Sequence, residues 1–182
     1  MHALQIWIYE LFRGMKWATP FMTSKWGWPL AETVHFLGLS LLIGTIGMFD
    51  LRLLGMGKRV PICALHRLVP WGVAGYVMAM LTGILFLATE PDQYIFNAAF
   101  HWKELFMATA GVNMATFYAF VFRRVRSLGG GEDAEIPAKV IAALSLFLWI
   151  GVIVFGRMLT FYRPADCGVE PVTTVSTCIP PR

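Results

Sequence analysis

The sequence predicts an all-α integral membrane protein: a four-helix bundle preceded by an interfacial amphipathic helix. Three observations predict it. Hydrophobic residues make up 57% of the chain and charged residues 14%, and mean hydropathy is +0.62, too apolar for an ordinary soluble domain. Four stretches are each apolar over the ~20 residues that a helix needs to cross a bilayer core. The connections between them carry contrasting charge, two basic and one acidic. A single membrane domain is expected, with an N-terminal segment over 1–28, the bundle over 29–163 and a tail over 164–182.

Residues 1–28 do not read as a secretory signal, because Glu10, Arg13 and Lys16 interrupt the apolar run and no small-residue cleavage site follows. Leu4, Ile8, Leu11 and Phe12 instead recur at helical spacing, with Trp7, Trp17, Trp26 and Trp28 around them. Such a helix lies in the membrane interface, where indole rings meet both lipid and water. Pro29 suits the first turn of the helix that follows.

The first span is expected from about Pro29 to Leu53. The second lies between Arg67 and Glu90, the third runs from near Phe100 to Phe122, and the fourth from Val140 to about Tyr162. The connection from Asp50 to Arg67 holds Arg52, Lys58, Arg59 and Arg67, and that from Arg123 to Lys139 holds Arg123, Arg124, Arg126 and Lys139. The connection from Thr89 to Phe100 holds Glu90 and Asp92 and no Lys or Arg. The positive-inside rule then places both basic connections in the cytoplasm and both termini outside the membrane. Arg13, Lys16 and Lys25 argue the other way, and the cysteines favour the first assignment. Cys167 and Cys178 fall in the exported tail, where a disulfide closing a short ring would contribute about 2–3 kcal/mol in the loop-entropy model. Cys63 falls in a cytoplasmic connection and stays reduced.

Several function classes are excluded. The formal charge of +4 is not gathered into a basic stripe with interleaved aromatics, which argues against nucleic-acid binding. Gly129-Gly130-Gly131 lacks the Lys-Ser/Thr of a phosphate loop. Ser40 and Ser145 stand alone in spans without a His–Asp arrangement and read as packing residues. A transporter is disfavoured by four spans without an evident broken helix.

The chemistry-bearing residues gather toward one end. With a rise of ~1.5 Å per residue, Glu32, His35, His101, Lys103, Glu104 and Arg157 all belong to the outer half of the bundle, and His66 lies at the opposite end. Glu32-x-x-His35 and His101-x-x-Glu104 each put a carboxylate and an imidazole on nearly one face of a helix. Two such helices facing each other would offer two nitrogen and two oxygen donors to copper or another transition metal. Alternatively His35 and His101 would be axial ligands to haem b, with Lys103 and Arg157 at the propionates and Glu32 orienting His35 or relaying a proton. The plainer alternative, interfacial charges at a helix end, applies to Lys103 and Glu104. It is harder to apply to Glu32 and His35, which lie deeper, where ionisable groups face protein rather than lipid.

The run Glu32-x-x-His35-x-Leu37-Gly38-Leu39-x-Leu41-Leu42-x-Gly44 followed by Asp50-Leu51-Arg52-Leu53-Leu54-Gly55 resembles an uncharacterised bacterial four-span membrane family, a domain of unknown function. Arg67-Leu68-x-Pro70-Trp71, Thr82-Gly83, Asn97-x-Ala99-Phe100-x-x-Lys103 and Phe155-Gly156-Arg157 extend the resemblance over roughly residues 27 to 163. More distantly the pattern is similar to copper-resistance D and HemJ-type membrane proteins. The resemblance implies a four-helix bundle handling haem or copper, with His35 as principal ligand and Lys103 as a partner on the third span. His101 departs from the family pattern, which speaks against a shared bis-histidine haem.

Two functions are therefore expected. One is a redox or electron-transfer membrane protein with its cofactor near the outer face. The other is a non-catalytic accessory subunit, docked in a larger membrane complex or a homo-oligomer through its aromatic N-terminal segment and its tail.

Overall fold

The computed structural model describes residues 2–13 and 16–161, and these are entirely without strand. In order come α1 (His2–Arg13), α2 (Thr19–Met22), α3 (Gly27–Leu53), α4 (Ile62–His66), α5 (Val69–Thr89), α6 (Pro91–Ile95) and α7 (Ala98–Thr116). A π-helical turn, Phe117–Val121, joins α7 to α8 (Phe122–Val125), and α9 (Ile136–Met158) follows. Four segments are long and apolar enough to cross a membrane: Gly27–Leu53, Ile62–Thr89, Ala98–Val125 and Ile136–Met158. The chain is a multi-pass, all-α membrane protein. The expected tail, with Cys167 and Cys178, lies outside the described residues.

Element boundaries follow local chemistry. Pro29 falls in the first turn of α3, and Pro70 and Pro137 stand at the starts of α5 and α9, where a missing N–H costs nothing. The fourth span begins a turn earlier than its apolar run because Pro137 starts the helix within the polar connection. The Asn97 side chain caps α7 by accepting from the Ala99 amide at 2.9 Å. α1 forms as expected and packs on α6 and the end of α5; Tyr9 is buried against Phe96, with ring centres 5.5 Å apart.

The spans form two closely packed pairs, α3 with α5 and α7 with α9, joined where α3 meets α9. Glycine explains the first pairing. A Cβ on Gly38 would lie 2.7 Å from the Gly75 carbonyl oxygen, and one on Gly75 would lie 2.5 Å from the Gly38 oxygen. The two backbones therefore touch through reciprocal bare positions, the usual device where no hydrophobic force drives helices together in lipid. In the second pair, the Phe106 ring occupies the space over Gly151.

The apolar core lies at the end bearing the basic connections, where Phe49, Leu53, Ile62, Phe117, Val121, Val125, Ala134, Ala138 and Ala142 close on one another. Arg52 knits that end together. It was counted above with the exposed loop cations, yet it is 1% exposed. Its Nε donates to the Val60 carbonyl at 2.6 Å, and its Nη2 donates to those of Gly129 and Glu132, each at 3.1 Å. α3 runs on to Leu53, so this side chain reaches both basic connections from inside the bundle. Outside it, Asp133 bonds Lys139 at 2.8 Å and Lys58 at 3.0 Å. These two bonds, Lys139 first, hold its carboxyl down at about 2.

Candidate functional site

At the opposite end, polar contacts take over from the apolar core. His35 on α3 is half-buried and hydrogen-bonds through Nδ1 to Thr82 Oγ1 on α5 at 2.8 Å. Thr82 is 6% exposed, and its one hydroxyl proton points at the main chain, 2.8 Å from the Met78 oxygen and 3.1 Å from that of Ala79. With that proton engaged, Oγ1 is left to accept from Nδ1–H. This selects the tautomer of His35 in which Nε2 keeps its lone pair.

The surroundings hold the ring in place. Phe86 and Phe36 meet it edge-on, at centroid distances of 5.6 and 6.3 Å. A side chain on Gly83 would begin 4.0 Å from His35 Cε1, so the ring lies beside bare helix. Trp28 packs on Phe86 from the first turn of α3, at 5.1 Å. The turn of α5 from Ala79 to Gly83 thus receives the imidazole. Thr82-Gly83 carried this signal in the sequence, a hydroxyl followed by a missing side chain in an otherwise apolar span.

Lys103 on α7 reaches within electrostatic range of His35. Its side chain is 18% exposed, with Nζ 5.9 Å from the Phe100 ring centre and 4.0 Å from Glu104 Oε1. Glu104 in turn bears electrostatically on Tyr76 of α5. The site therefore combines an imidazole tied through Nδ1, a shielded lysine and a loosely paired glutamate.

The other expected ligands lie elsewhere. His101 is exposed, and its Nε2 is 3.0 Å from Gln5 Nε2, which ties the start of α7 to α1. Glu32 is exposed although it is one turn from His35. Arg157 is exposed, its guanidinium 5.3 Å from the Phe161 ring centre. Among the described residues no three His, Cys, Asp or Glu side chains come together in a way that could hold a metal ion. Neither is His66 near this end: it packs among Phe49, Tyr118 and Phe122 beside the apolar core.

A buried acid also escaped the sequence reading. Asp50 is 5% exposed, it faces Ser145 of α9, and its Oδ2 has no hydrogen-bond partner. Ser145, read above as packing alone, is thus the neighbour of a buried carboxylate. The signal was Asp50 itself, an acid three residues inside the expected end of the first span.

Residues 26–162 match the model of a family of unknown function, DUF6644. No curated protein and no solved structure matches the chain.

Proposed function

We propose a function on the premise that this chain belongs to DUF6644, a family of unknown function: it is a redox membrane protein that holds haem b through Nε2 of His35. The observation that carries the reading is the 2.8 Å contact of Nδ1 with a hydroxyl whose proton is engaged elsewhere. A histidine that ligates through one nitrogen needs the other tied to an acceptor, which orients the ring and raises its basicity. Thr82 supplies that acceptor.

The donor set favours haem over a bare ion. One imidazole beside an ammonium is a poor seat for copper or another free cation, which needs several donors and no positive neighbour. Haem brings four of its own nitrogen donors and two carboxylates. Lys103 would meet a carboxylate, and the Phe86, Phe36 and Trp28 rings would line a flat apolar ligand. With His101 turned to Gln5, His35 is the one histidine among the described residues at this end that would hold the group. When bound, the group would supply one-electron chemistry, with a potential tuned by that ligand and by burial. Orientation follows the charge pattern, with the His35 end and both termini outside a bacterial inner membrane and the basic connections in the cytoplasm.

The test is the absorption spectrum of protein expressed with haem supplied, oxidised and then reduced, with and without carbon monoxide. Single-histidine ligation predicts a haem spectrum that carbon monoxide shifts at once. A reduced spectrum insensitive to carbon monoxide would mean a second axial ligand. Absence of haem would leave the His35–Thr82 contact as an interhelical bond in an accessory subunit.

A further inference from the structure

A second site lies apart from His35, where α1 crosses the end of the second span. A cleft of about 340 Å³ is lined there by Tyr9, Arg13, Lys16, Thr19, Ala88, Thr89, Pro91 and Asp92. We propose that this cleft binds the headgroup of an amine-bearing phospholipid, phosphatidylethanolamine in chemical type, with its phosphate at Arg13 and Lys16 and its ammonium at Asp92.

Depth is the first argument. Ala88 and Thr89 close the transmembrane helix α5, and Pro91 and Asp92 open α6. Trp7 and Trp17 flank the cleft in sequence and are 64% and 63% exposed, as indoles are where lipid headgroups meet hydrocarbon. Charge is the second. Arg13 and Lys16 are exposed, and neither has a carboxylate within salt-bridge distance among the described residues. Two cations and one carboxylate in a single cleft match a zwitterion whose phosphate and ammonium are only a few bonds apart. Guanidinium and ammonium groups are the donors that phosphate oxygens take most strongly.

The carboxylate has a phenol beside it. Asp92 bears on the hydroxyl of the buried Tyr9 side chain, and burial, followed by Asp92, pushes the Tyr9 phenol up from its ordinary value. It therefore stays a donor. The Arg13 guanidinium lies 5.8 Å from the Tyr9 ring centre. Tyr9 thus organises both charges around one buried ring.

The third argument separates a lipid from free phosphate. From Ala88 at the cleft, Ile84, Leu81 and Val77 descend α5 at helical spacing and are 38%, 60% and 47% exposed. An apolar stripe thus leaves the polar cleft toward the hydrocarbon, where acyl chains would lie. Free phosphate has no use for it.

The experiment is native mass spectrometry of the full chain released from nanodiscs of mixed phosphatidylethanolamine and phosphatidylglycerol. The unmodified protein should retain one phosphatidylethanolamine. The Arg13→Ala/Lys16→Ala variant should lose tenfold or more of that occupancy. Asp92→Asn should keep a bound phospholipid but lose the preference for the amine headgroup. Tyr9→Phe, which removes a hydroxyl and no charge, should retain more of the preference than Asp92→Asn. Both alterations at Arg13, Lys16 and Asp92 are on exposed side chains, so the fold should survive, which circular dichroism checks. Equal occupancy in Arg13→Ala/Lys16→Ala, or no retained lipid, would overturn the proposal. An unchanged headgroup preference in Asp92→Asn would overturn the assignment of the ammonium. Displacement of the lipid by millimolar inorganic phosphate would make the site one for free anions, against the proposal.

Discussion

Gly75→Ala couples the packing of the bundle to the histidine site. The added carbon would lie 2.5 Å from the Gly38 oxygen, 2.8 Å from the Leu42 nitrogen and 3.1 Å from Leu41 Cβ. A carbon approaches a carbonyl oxygen no closer than ~3.3 Å, so α3 and α5 must part by about 0.8 Å. Overpacking of this kind costs ~1–3 kcal/mol, or about 2–12 °C in melting temperature for a chain of this size. The same movement reaches the site, because Thr82 lies seven residues along the same face of α5. Its 2.8 Å contact with His35 would open toward ~3.6 Å, past a hydrogen bond. Thermal unfolding in detergent, with haem content read on the same samples, measures both effects. Gly44→Ala is the control, since nothing lies within 4 Å of its added carbon. If Gly75→Ala melts with Gly44→Ala and holds as much haem, the reciprocal glycine contact does not position the histidine.

Arg52→Met removes one side chain and strands the carbonyls of Val60, Gly129 and Glu132. It should cost roughly 3 kcal/mol or more, at about 1–3 kcal/mol for each buried acceptor left without its donor; a loss within 1 °C in melting temperature would refute the role. Asp133 makes a pH-dependent contribution. Its folded carboxyl is depressed to about 2, so the contribution is complete above the unfolded value near 3.9 and is lost as pH falls toward 2. Melting curves of the protein and of Asp133→Asn should therefore differ at pH 6 and converge by about pH 2, and a constant difference would contradict the assignment. Non-reduced peptide mapping should find Cys167 joined to Cys178 and Cys63 free. A tag in the connection at Ser127 should be inaccessible from outside intact cells, and labelling there would reverse the orientation.

The fold was legible because its signal is collective. About twenty predominantly apolar residues declare a span without any knowledge of neighbours, and Pro29 marks a helix start through backbone chemistry alone. The site was legible only in part, because spacing along one helix does not say what stands opposite. Residues three apart on a helix differ by about 60° in direction, enough for His35 to turn to Thr82 while Glu32 remains exposed. The same offset sends His101 toward Gln5 on α1 and leaves Glu104 beside Lys103. Asp50 and Arg52 were hidden for a related reason: charges in the last turn of a span read as surface groups, and only the elements packed against that turn show that they are buried. Thr82, which selects the tautomer of His35, is one hydroxyl in an apolar run, and only its partner across the α3–α5 contact gives it meaning.

The central claim is that His35 is the single protein ligand to haem b, held ready by Thr82. Its most direct test is the haem-to-protein ratio, by pyridine haemochrome, of the parent chain, His35→Ala, His101→Ala and Thr82→Val purified in parallel. A ratio near one is expected in the parent and in His101→Ala, and none in His35→Ala. In Thr82→Val affinity should weaken ~10–100-fold, as for loss of a partner that orients a ligand. A parent chain without haem, or haem retained by His35→Ala, would contradict the claim.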